Sequence, residues 1–443
     1  MKSKRILSYI TVCVTLLCLC SCQNGDESAP SGTDGTTGDG TLTVYYAKGD
    51  PRIELAVSTF EEEHPNIELT ETIFDTPQQM DDQLSTELSA GSGPDAVFLN
   101  SETTLDIYRS ARGGAFADLG ALIEADEEFS EDQYFPGVLD AGKIDGKQYF
   151  LPATMKIPTV FCQKGESSET GIWDLNSFIS AVEESAEQRK NESSKSSLLF
   201  RSEDPVFTQM LRLYGVNFVS EDGKEVQIDE EMLQTVAETS KLLLAEQNKS
   251  NEMVSTYAND FSAITSRVDY MLWDGTDLPY DVWGYQSLYS SGGGELELAA
   301  LSDENGAPLA RIDLFGAVTS GAAGNTEAYE LVKSLAESSG SSAGQVVYGM
   351  PVVKFNFVTS INVFSGKEGG SNIGGNQMSV RPVSAENSQK LNTIAESLQT
   401  FSLPNGRLLE MAEESFVPYF SDTSSYEDCL AEFRQKMELY IHE

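Results

Sequence analysis

From residue 41 onward, short apolar runs alternate with amphipathic segments along the chain. Three of the runs are rich in β-branched or aromatic residues and predict strands: TLTVYY (41–46), IELTETIF (67–74) and DAVFL (95–99). Two segments between them carry apolar residues on one helical face: Ile53, Val57 and Phe60, then Met80, Leu84 and Leu88. This alternation with short connections predicts an α/β fold built on an open, mainly parallel sheet.

Polar residues follow each of the three predicted strands. Lys48 comes shortly after the first strand, Asp75 directly after the second, and Asn100 and Glu102 after the third. The carboxyl ends of parallel strands meet at one edge of a sheet, and ligands bind beyond that edge. We therefore predict that these four side chains contact a ligand.

The rest of the chain predicts a second lobe. An Asp145-Gly146 turn closes a hairpin that leads to Pro152, where we place the first crossing out of the first lobe. Residues 161–298 are expected to be mostly helical. Strand character then returns in two runs, residues 295–301 and 314–320. The predicted boundaries are residues 41–151 and 309–352 for the first lobe, and 152–308 and 353–443 for the second.

Two later helices carry capping signals. Asn325 precedes a segment with one apolar face and is expected to cap it. Ser424 and Glu427 have the spacing of a capping box at the start of the last helix. That helix has an apolar face made by four residues: Leu430, Phe433, Met437 and Tyr440.

The amino terminus predicts an export signal. A basic start precedes an apolar run over residues 6–19, which is shorter than the roughly 20 residues that a transmembrane helix needs. Ser21 stands directly before Cys22, as in a lipobox, so we predict cleavage before Cys22 and a diacylglycerol on its thiol. An ordinary secretory signal cut nearby is the alternative. Residues 1–21 are then the signal peptide, and 22–40, rich in Gly, Ser and Thr, are a flexible tether.

Composition narrows the classes of partner. Lys and Arg number 29 against 70 Asp and Glu, and the resulting formal net charge of -41 excludes nucleic acid and favours a soluble monomer. Four of the six cysteines lie in the first 22 residues, so they do not form a disulfide framework. Cys162 and Cys429 either pair or, in the commoner case, are buried as small apolar side chains.

One segment has the composition of a sugar site. MLWDGTDLPYDVWGY (271–285) places Trp273 and Trp283 among carboxylates that include Asp274 and Asp277. Flat rings can cover the apolar faces of pyranoses, and carboxylates can accept hydrogen bonds from hydroxyl groups. The alternative is structural, with Trp273 ending a buried strand and Trp283 packing a helix.

The sequence offers little support for an enzyme. GSSAG (340–344) matches a nucleophile-elbow string, but it follows a helix in a Ser- and Gly-rich loop, whereas the elbow needs a strained turn after a strand. A histidine base would have to be His64 or His442, and neither lies in a suitable context. We predict no catalytic residue, no cofactor and no metal site.

Six motifs give the chain a family resemblance. They occur in this order: FEEEHPNIEL (60–69), ELSAGSGPDAVFL (87–99), GAFADLGALIEAD (114–126), GKQYFLP (146–152), IWDLNSF (172–178) and GMPV (349–352). Together they resemble the extracellular solute-binding proteins of bacterial ABC importers, in the family that includes maltodextrin- and oligosaccharide-binding proteins. Glu102 is similar to the carboxylate that this family often places after the GPD strand. VDYMLWDGTD (268–277) is similar to its ligand-contacting strand in the second lobe.

The resemblance implies a two-lobed periplasmic-binding-protein-like fold of type II, with three hinge crossings and closure over a ligand. It implies a lipid-anchored, substrate-binding subunit of an ABC importer on the extracytoplasmic face of the cell membrane. Such a subunit captures a carbohydrate, in this case an oligosaccharide, and delivers it to a membrane permease. A surface lipoprotein that binds a glycan, peptide or other solute for sensing or adhesion, without transport, is the alternative.

Overall fold

The structure is a computed structural model. It describes residues 40–166, 170–192, 194–201, 204–220, 222–256, 264–275, 278–291, 293–338, 349–366, 368–373 and 376–442. The predicted signal peptide, lipobox cysteine Cys22 and most of the tether lie outside the described residues, as do Asp277 and the GSSAG string.

The strands are short and the helices vary in length. The strands are β1 (Thr41–Ala47), β2 (Glu68–Phe74), β3 (Ala96–Asn100), β4 (Lys143–Ile144), β5 (Lys147–Gln148), β6 (Leu151–Lys156), β7 (Thr159–Gln163), β8 (Ile172–Asp174), β9 (Ser196–Arg201), β10 (Val268–Trp273), β11 (Leu296–Ser302), β12 (Ala310–Val318), β13 (Met350–Pro351), β14 (Gly369–Ile373), β15 (Asn376–Val380) and β16 (Phe401–Ser402).

The α-helices are α1 (Pro51–Glu63), α2 (Pro77–Ser89), α3 (Ile107–Arg112), α4 (Gly120–Ala125), α5 (Leu175–Gln188), α6 (Val206–Leu213), α7 (Glu230–Thr256), α8 (Leu278–Ser291), α9 (Thr326–Ser338), α10 (Lys354–Gly366), α11 (Ala385–Ser397), α12 (Gly406–Phe420) and α13 (Tyr426–His442). Within the described ranges, every helix is too short or too polar to cross a membrane.

The first sheet confirms the α/β prediction for the amino-terminal half. Its strand order is β13-β6-β12-β3-β1-β2, with β16 beside β12. The predicted strand-helix order β1-α1-β2-α2-β3 is present, and β1 pairs in parallel with both β2 and β3. β12 runs antiparallel to β3 and β6, so the sheet is more mixed than the mainly parallel sheet that we expected.

A second sheet comes from the segment that we expected to be mostly helical. Its strand order is β8-β11-β7-β10-β9, and β7 runs antiparallel to both of its neighbours. Helices α5 to α8 do lie in this segment. β9 was missed because its run SSLLFR is apolar over too few residues for its period to separate strand from helix.

The chain changes sheet a few residues beyond Pro152. β6 still pairs with β12 and β13 in the first sheet, and β7 belongs to the second, so the crossing falls at Ile157 and Pro158. The chain returns through residues 303–309, between β11 and β12. Residues 401–402, which we assigned to the second lobe, pair with β12 in the first sheet as β16.

Local turn and capping chemistry fixes several connections. Asp145 and Gly146 have φ angles of 51° and 79° between the antiparallel strands β4 and β5, which confirms the predicted hairpin. Asn325 Oδ1 accepts a hydrogen bond from the Ala328 amide (3.1 Å), as its predicted capping role requires. The predicted capping box of the last helix was wrong by one residue, because the Asp428 amide donates to Ser425 Oγ (3.1 Å) and the helix begins at Tyr426.

Buried apolar side chains form two clusters. One surrounds the first sheet and extends to α8 and α10, and the other packs α6, α7, α12 and α13 against the second sheet. Cys162 and Cys429 are both buried in the second cluster and no disulfide joins them. This is the commoner of the two alternatives that the sequence left open.

Burial of tyrosine phenols predicts an alkaline transition. Burial raises the pKa of Tyr108 to about 12 and that of Tyr270 to about 12, against an unfolded value of about 10. A group whose pKa is raised on folding contributes stability below its unfolded pKa and loses it as the pH rises through the folded value. We therefore expect the free energy of unfolding to fall from pH of about 10 upward.

Tyrosinate absorbance measured across this pH range checks the alkaline transition. The folded protein should ionise part of its tyrosines only as it unfolds, whereas the urea-unfolded chain should titrate in one step near pH of about 10. A single step near that pH in the folded protein would contradict the prediction.

Candidate functional site

A cavity of about 350 Å³ lies at the carboxyl ends of β1 and β3. Lys48, Asn100 and Glu102 line it, so the structure brings together three of the four predicted strand-end residues. Asp75 is not part of the lining, but its Oδ1 accepts a hydrogen bond from Lys48 Nζ at 2.7 Å. Both of these side chains are mostly exposed, so this ion pair lies at the rim of the cavity.

The loop after β1 is held in place by the start of α1. Asp50 is the N-cap of α1 and accepts a hydrogen bond from the Arg52 amide at 2.9 Å, and Pro51 occupies the first turn. The Asp50 carboxylate also accepts from the Arg52 guanidinium, with Nε to Oδ1 at 2.8 Å. The capping residue therefore fixes both the loop and the direction of the Arg52 side chain, which points to β12.

A line of buried charges runs from the cavity into the interior. Arg52 Nη1 donates to Asp313 Oδ2 (2.7 Å), and Lys156 Nζ lies 3.1 Å from Asp313 Oδ1. Lys156 Nζ also lies 3.5 Å from Asp274 Oδ2, and Asp274 Oδ1 accepts from Arg311 Nη2. Each of these five side chains is at least about nine-tenths buried. Charges this deep persist in proteins only when they are paired and hydrogen-bonded.

The acids in this network are held ionised. Burial raises the pKa of the Asp313 carboxyl, but Lys156 and Arg52 outweigh the burial and hold that pKa well below its usual value. Burial also raises the pKa of Asp274, and Arg311 and Lys156 reverse the effect so that this pKa is lowered too. Both carboxylates therefore carry a full charge at neutral pH.

The charged network joins the two sheets. Asp274 follows β10 of the second sheet, whereas Lys156 and Arg311 belong to β6 and β12 of the first sheet. At the same junction, the Ile157 amide donates to the Gly275 carbonyl oxygen at 3.1 Å. The contact therefore lies at the point where the chain crosses from one sheet to the other.

The two predicted tryptophans have different surroundings. Trp273 ends β10 and is half-buried, with the Arg201 guanidinium carbon 4.6 Å from its ring centre and Tyr285 in edge contact at 5.5 Å. Trp283 is 3% exposed and packs within α8 against Tyr280 and on to Phe364. The structure does not bring Trp283 to the cavity, and helix packing, the structural alternative, describes its place.

Sequence reasoning missed four charges of the buried network: Arg52, Lys156, Arg311 and Asp313. A signal for three of them exists. Lys156 ends the buried strand LPATMK, and Arg311 and Asp313 interrupt ARIDLFGAV, whose residues are all buried. In a chain with only 29 basic residues, a Lys or Arg inside a buried strand indicates a charged partner.

A larger groove, of about 660 Å³, shares no lining residue with the cavity. Tyr108, Arg112, Phe218 and Leu403 are among its lining residues, and it contains none of the predicted ligand contacts. We therefore take the smaller cavity as the candidate site. Among the described residues, no group of three or more His, Cys, Asp or Glu side chains is arranged to hold a metal ion.

Residues 44–268, about half of the chain, match the family model described as bacterial extracellular solute-binding protein. No curated protein matches the chain.

Solved structures share the fold at low sequence identity. The sugar-binding protein MalE from the phytopathogen Xanthomonas citri has a TM-score of 0.59 at 14% identity, covering 91% of this chain and 97% of that chain. An ABC substrate-binding protein from Listeria monocytogenes in complex with cycloalternan has a TM-score of 0.56 at 15% identity, covering 91% and 99%. The GacH receptor of Streptomyces glaucescens, solved unliganded and with acarbose, has a TM-score of 0.53 at 16% identity, covering 90% and 97%.

Proposed function

Because the chain belongs to the family of bacterial extracellular solute-binding proteins, we propose that it is the carbohydrate-capturing subunit of an ABC importer. The observation that carries this proposal is the cavity at the carboxyl ends of β1 and β3, which is connected through buried charges to the crossing between the two sheets. The protein binds its solute without chemical turnover and releases it unchanged to a membrane permease.

The polar rim of the cavity supplies the contacts to hydroxyl groups. Lys48 donates hydrogen bonds, Glu102 accepts them, and Asn100 can do both. Trp273, at the end of β10, supplies a flat ring for one face of a pyranose. Asp274 acts through Lys156 and Arg311 rather than by direct contact, since both of its oxygens are engaged by these cations. Asp277, outside the described residues, remains a predicted ligand contact.

Closure follows from the way the chain crosses between the sheets. The crossings at residues 157–158 and 303–309 are short, and a third follows β13, so the two lobes can rotate about a narrow hinge. Closing the lobes excludes water from the cavity, which strengthens every hydrogen bond to the ligand. The ligand is thereby presented to the permease in a single, closed conformation.

The amino-terminal sequence supports capture and release of the ligand at the membrane. In our proposal, the signal peptide is removed before Cys22, a lipid on Cys22 anchors the protein at the extracytoplasmic face of the cell membrane, and the tether lets the folded part reach the permease as a monomer. The formal net charge of -41 keeps the protein apart from other copies and from anionic lipid headgroups.

A thermal-shift screen of the purified protein against mono- and oligosaccharides tests the function. A ligand present at about 100 times its Kd stabilises the folded state by about 2.7 kcal/mol, so the melting temperature should rise by several degrees with one class of sugar. The rise should be reduced in Asn100→Ala, which loses an amide from the cavity. It should persist in Asn392→Ala, whose amide is exposed on α11.

A flat response to every sugar from a cooperatively folded protein would refute carbohydrate capture. A sugar response without uptake by cells that carry the protein and its permease would instead support the alternative of binding for sensing or adhesion.

A further inference from the structure

All four carboxylate oxygens of the buried network are already engaged by donors or cations of the protein. Asp313 Oδ1 accepts from Ser101 Oγ (3.0 Å) and faces Lys156, and its Oδ2 accepts from Arg52. Asp274 gives one oxygen to Arg311 and the other to Lys156. Each acceptor oxygen in this part of the site therefore already has at least one partner within the protein.

The donors, in contrast, are in surplus. Arg311 uses only Nη2 toward Asp274, and its Nε and Nη1 are buried without a hydrogen-bond partner among the described residues. The same holds for Arg212 Nε and for the Trp273 indole nitrogen. A buried N–H group without an acceptor destabilises a protein, so a site that keeps several of them is built to receive acceptor atoms.

Two of these donors belong to Arg311 and Arg212, whose elements pack with different sheets; Arg212 also lines the larger groove of about 660 Å³. Arg212 lies on α6 and packs with the second sheet, whereas Arg311 lies on β12 of the first sheet. Arg212 also donates through Nη2 to the carbonyl oxygen of Ser101, beside the cavity, at 3.1 Å. Burial lowers the pKa of the Arg212 guanidinium and the charge of Arg311 lowers it further, against the opposing effect of Asp204, so the two guanidinium groups act on each other.

The surplus of donors selects among ligand groups. A hydroxyl group brings one proton that itself needs an acceptor, whereas a carboxylate brings two acceptor oxygens and no proton. Guanidinium N–H groups bind carboxylates with short, charge-assisted hydrogen bonds in a fork geometry. We infer that the captured saccharide carries a carboxylate, as in a uronic-acid sugar, which Arg311 and Arg212 bind when the lobes close. This inference rests on the proposed function and specifies its ligand class.

The overall charge of the protein means that an anionic sugar needs a specific binding site. At a formal net charge of -41, the protein repels anions in bulk solution. An anionic sugar is therefore held by the buried guanidinium groups and not by general attraction. Raising the salt concentration should weaken that repulsion outside the cleft and should not abolish binding.

Calorimetric titration of the full protein with uronic-acid disaccharides, and with the methyl esters of the same disaccharides, tests the inference. The ester keeps the size and the hydroxyl groups of the ligand and removes only the charge. We expect the acid to bind at least about tenfold more tightly than its ester, which corresponds to one charge-assisted hydrogen bond.

Substitutions test which residues cause the difference in affinity between the acid and its ester. Arg311→Lys keeps the charge that pairs with Asp274 and removes the guanidinium fork, so it should weaken binding of the acid by about tenfold or more and leave binding of the ester unchanged. Arg212→Lys should act in the same direction and serves if Arg311→Lys fails to fold. The matched control is Arg407→Lys, because Arg407 is half-exposed on α12 and pairs with Glu410.

The outcomes distinguish the inferred ligand class from the proposed capture of carbohydrates. Neutral oligosaccharides that bind as tightly as uronic-acid sugars, or equal binding of acid and ester, would overturn the inference and leave carbohydrate capture standing. Failure of both acidic and neutral sugars to bind would overturn carbohydrate capture itself. Weaker binding of acid and ester alike in Arg311→Lys would assign Arg311 a structural role only.

Discussion

Asp313→Asn should lower the free energy of unfolding by about 3 to 5 kcal/mol, which is the usual cost of removing one partner from a buried ion pair. Asp313 is 4% exposed and holds Arg52 at 2.7 Å and Lys156 at 3.1 Å. The amide keeps the shape of the side chain but leaves both cations without this counter-charge. Urea unfolding followed by circular dichroism measures the change.

The matched control is Asp75→Asn, at the exposed pair with Lys48. Both side chains of that pair are mostly in solvent, so its loss should leave stability nearly unchanged. Equal losses of stability in the two variants would contradict the prediction that burial makes the Asp313 ion pairs more important for stability. So would an Asp313→Asn protein as stable as the parent.

Acid titration gives the same prediction an independent readout. Lys156 and Arg52 hold the pKa of Asp313 below its unfolded value of about 3.9, so the stability that this carboxylate contributes is present above that pH and is lost as the pH falls through the folded pKa. The parent protein should therefore lose more stability below pH of about 4 than Asp313→Asn does.

The amino-terminal half of the fold could be predicted because its signals are local. The order β1-α1-β2-α2-β3 follows from apolar runs and one-sided helices, each of which is complete within about a dozen residues. The Asp145-Gly146 turn could be predicted because few residue pairs other than Asn-Gly and Asp-Gly adopt two successive left-handed conformations readily. Three strand-end residues were correctly predicted to lie close together, because the carboxyl ends of neighbouring parallel strands meet at one edge of the sheet.

The buried charges could not be predicted because their partners are distant in sequence. Arg52 and Asp313 are separated by 261 positions, and nothing near either residue indicates the other. The surroundings of Trp283 could not be predicted either, because an aromatic and acidic segment does not tell which rings face outward. α8 is buried around most of its circumference, so this ring packs against Phe364.

Gly275→Ala should destabilise the protein by about 2 to 5 kcal/mol and weaken ligand binding. A β-carbon at Gly275 would lie 1.7 Å from the carbonyl oxygen of Ile157, and the φ angle of 73° adds about 1 to 2 kcal/mol of backbone strain for any residue with a β-carbon. The overlap with backbone atoms costs about 1 to 3 kcal/mol more, because the chain must move.

That movement has a predictable direction. Relief of the overlap pushes the loop after β10 away from the crossing at Ile157 and draws Asp274 off Lys156, so closure and affinity change together. Gly146→Ala is the control, since Gly146 has a similar φ of 79° in an exposed hairpin with no atom within 4 Å of the added carbon. It should cost only the backbone strain, about 1 to 2 kcal/mol, and leave affinity unchanged. Equal losses in the two variants, measured by urea unfolding and ligand titration, would show that the close approach of Gly275 to Ile157 does not position the cleft.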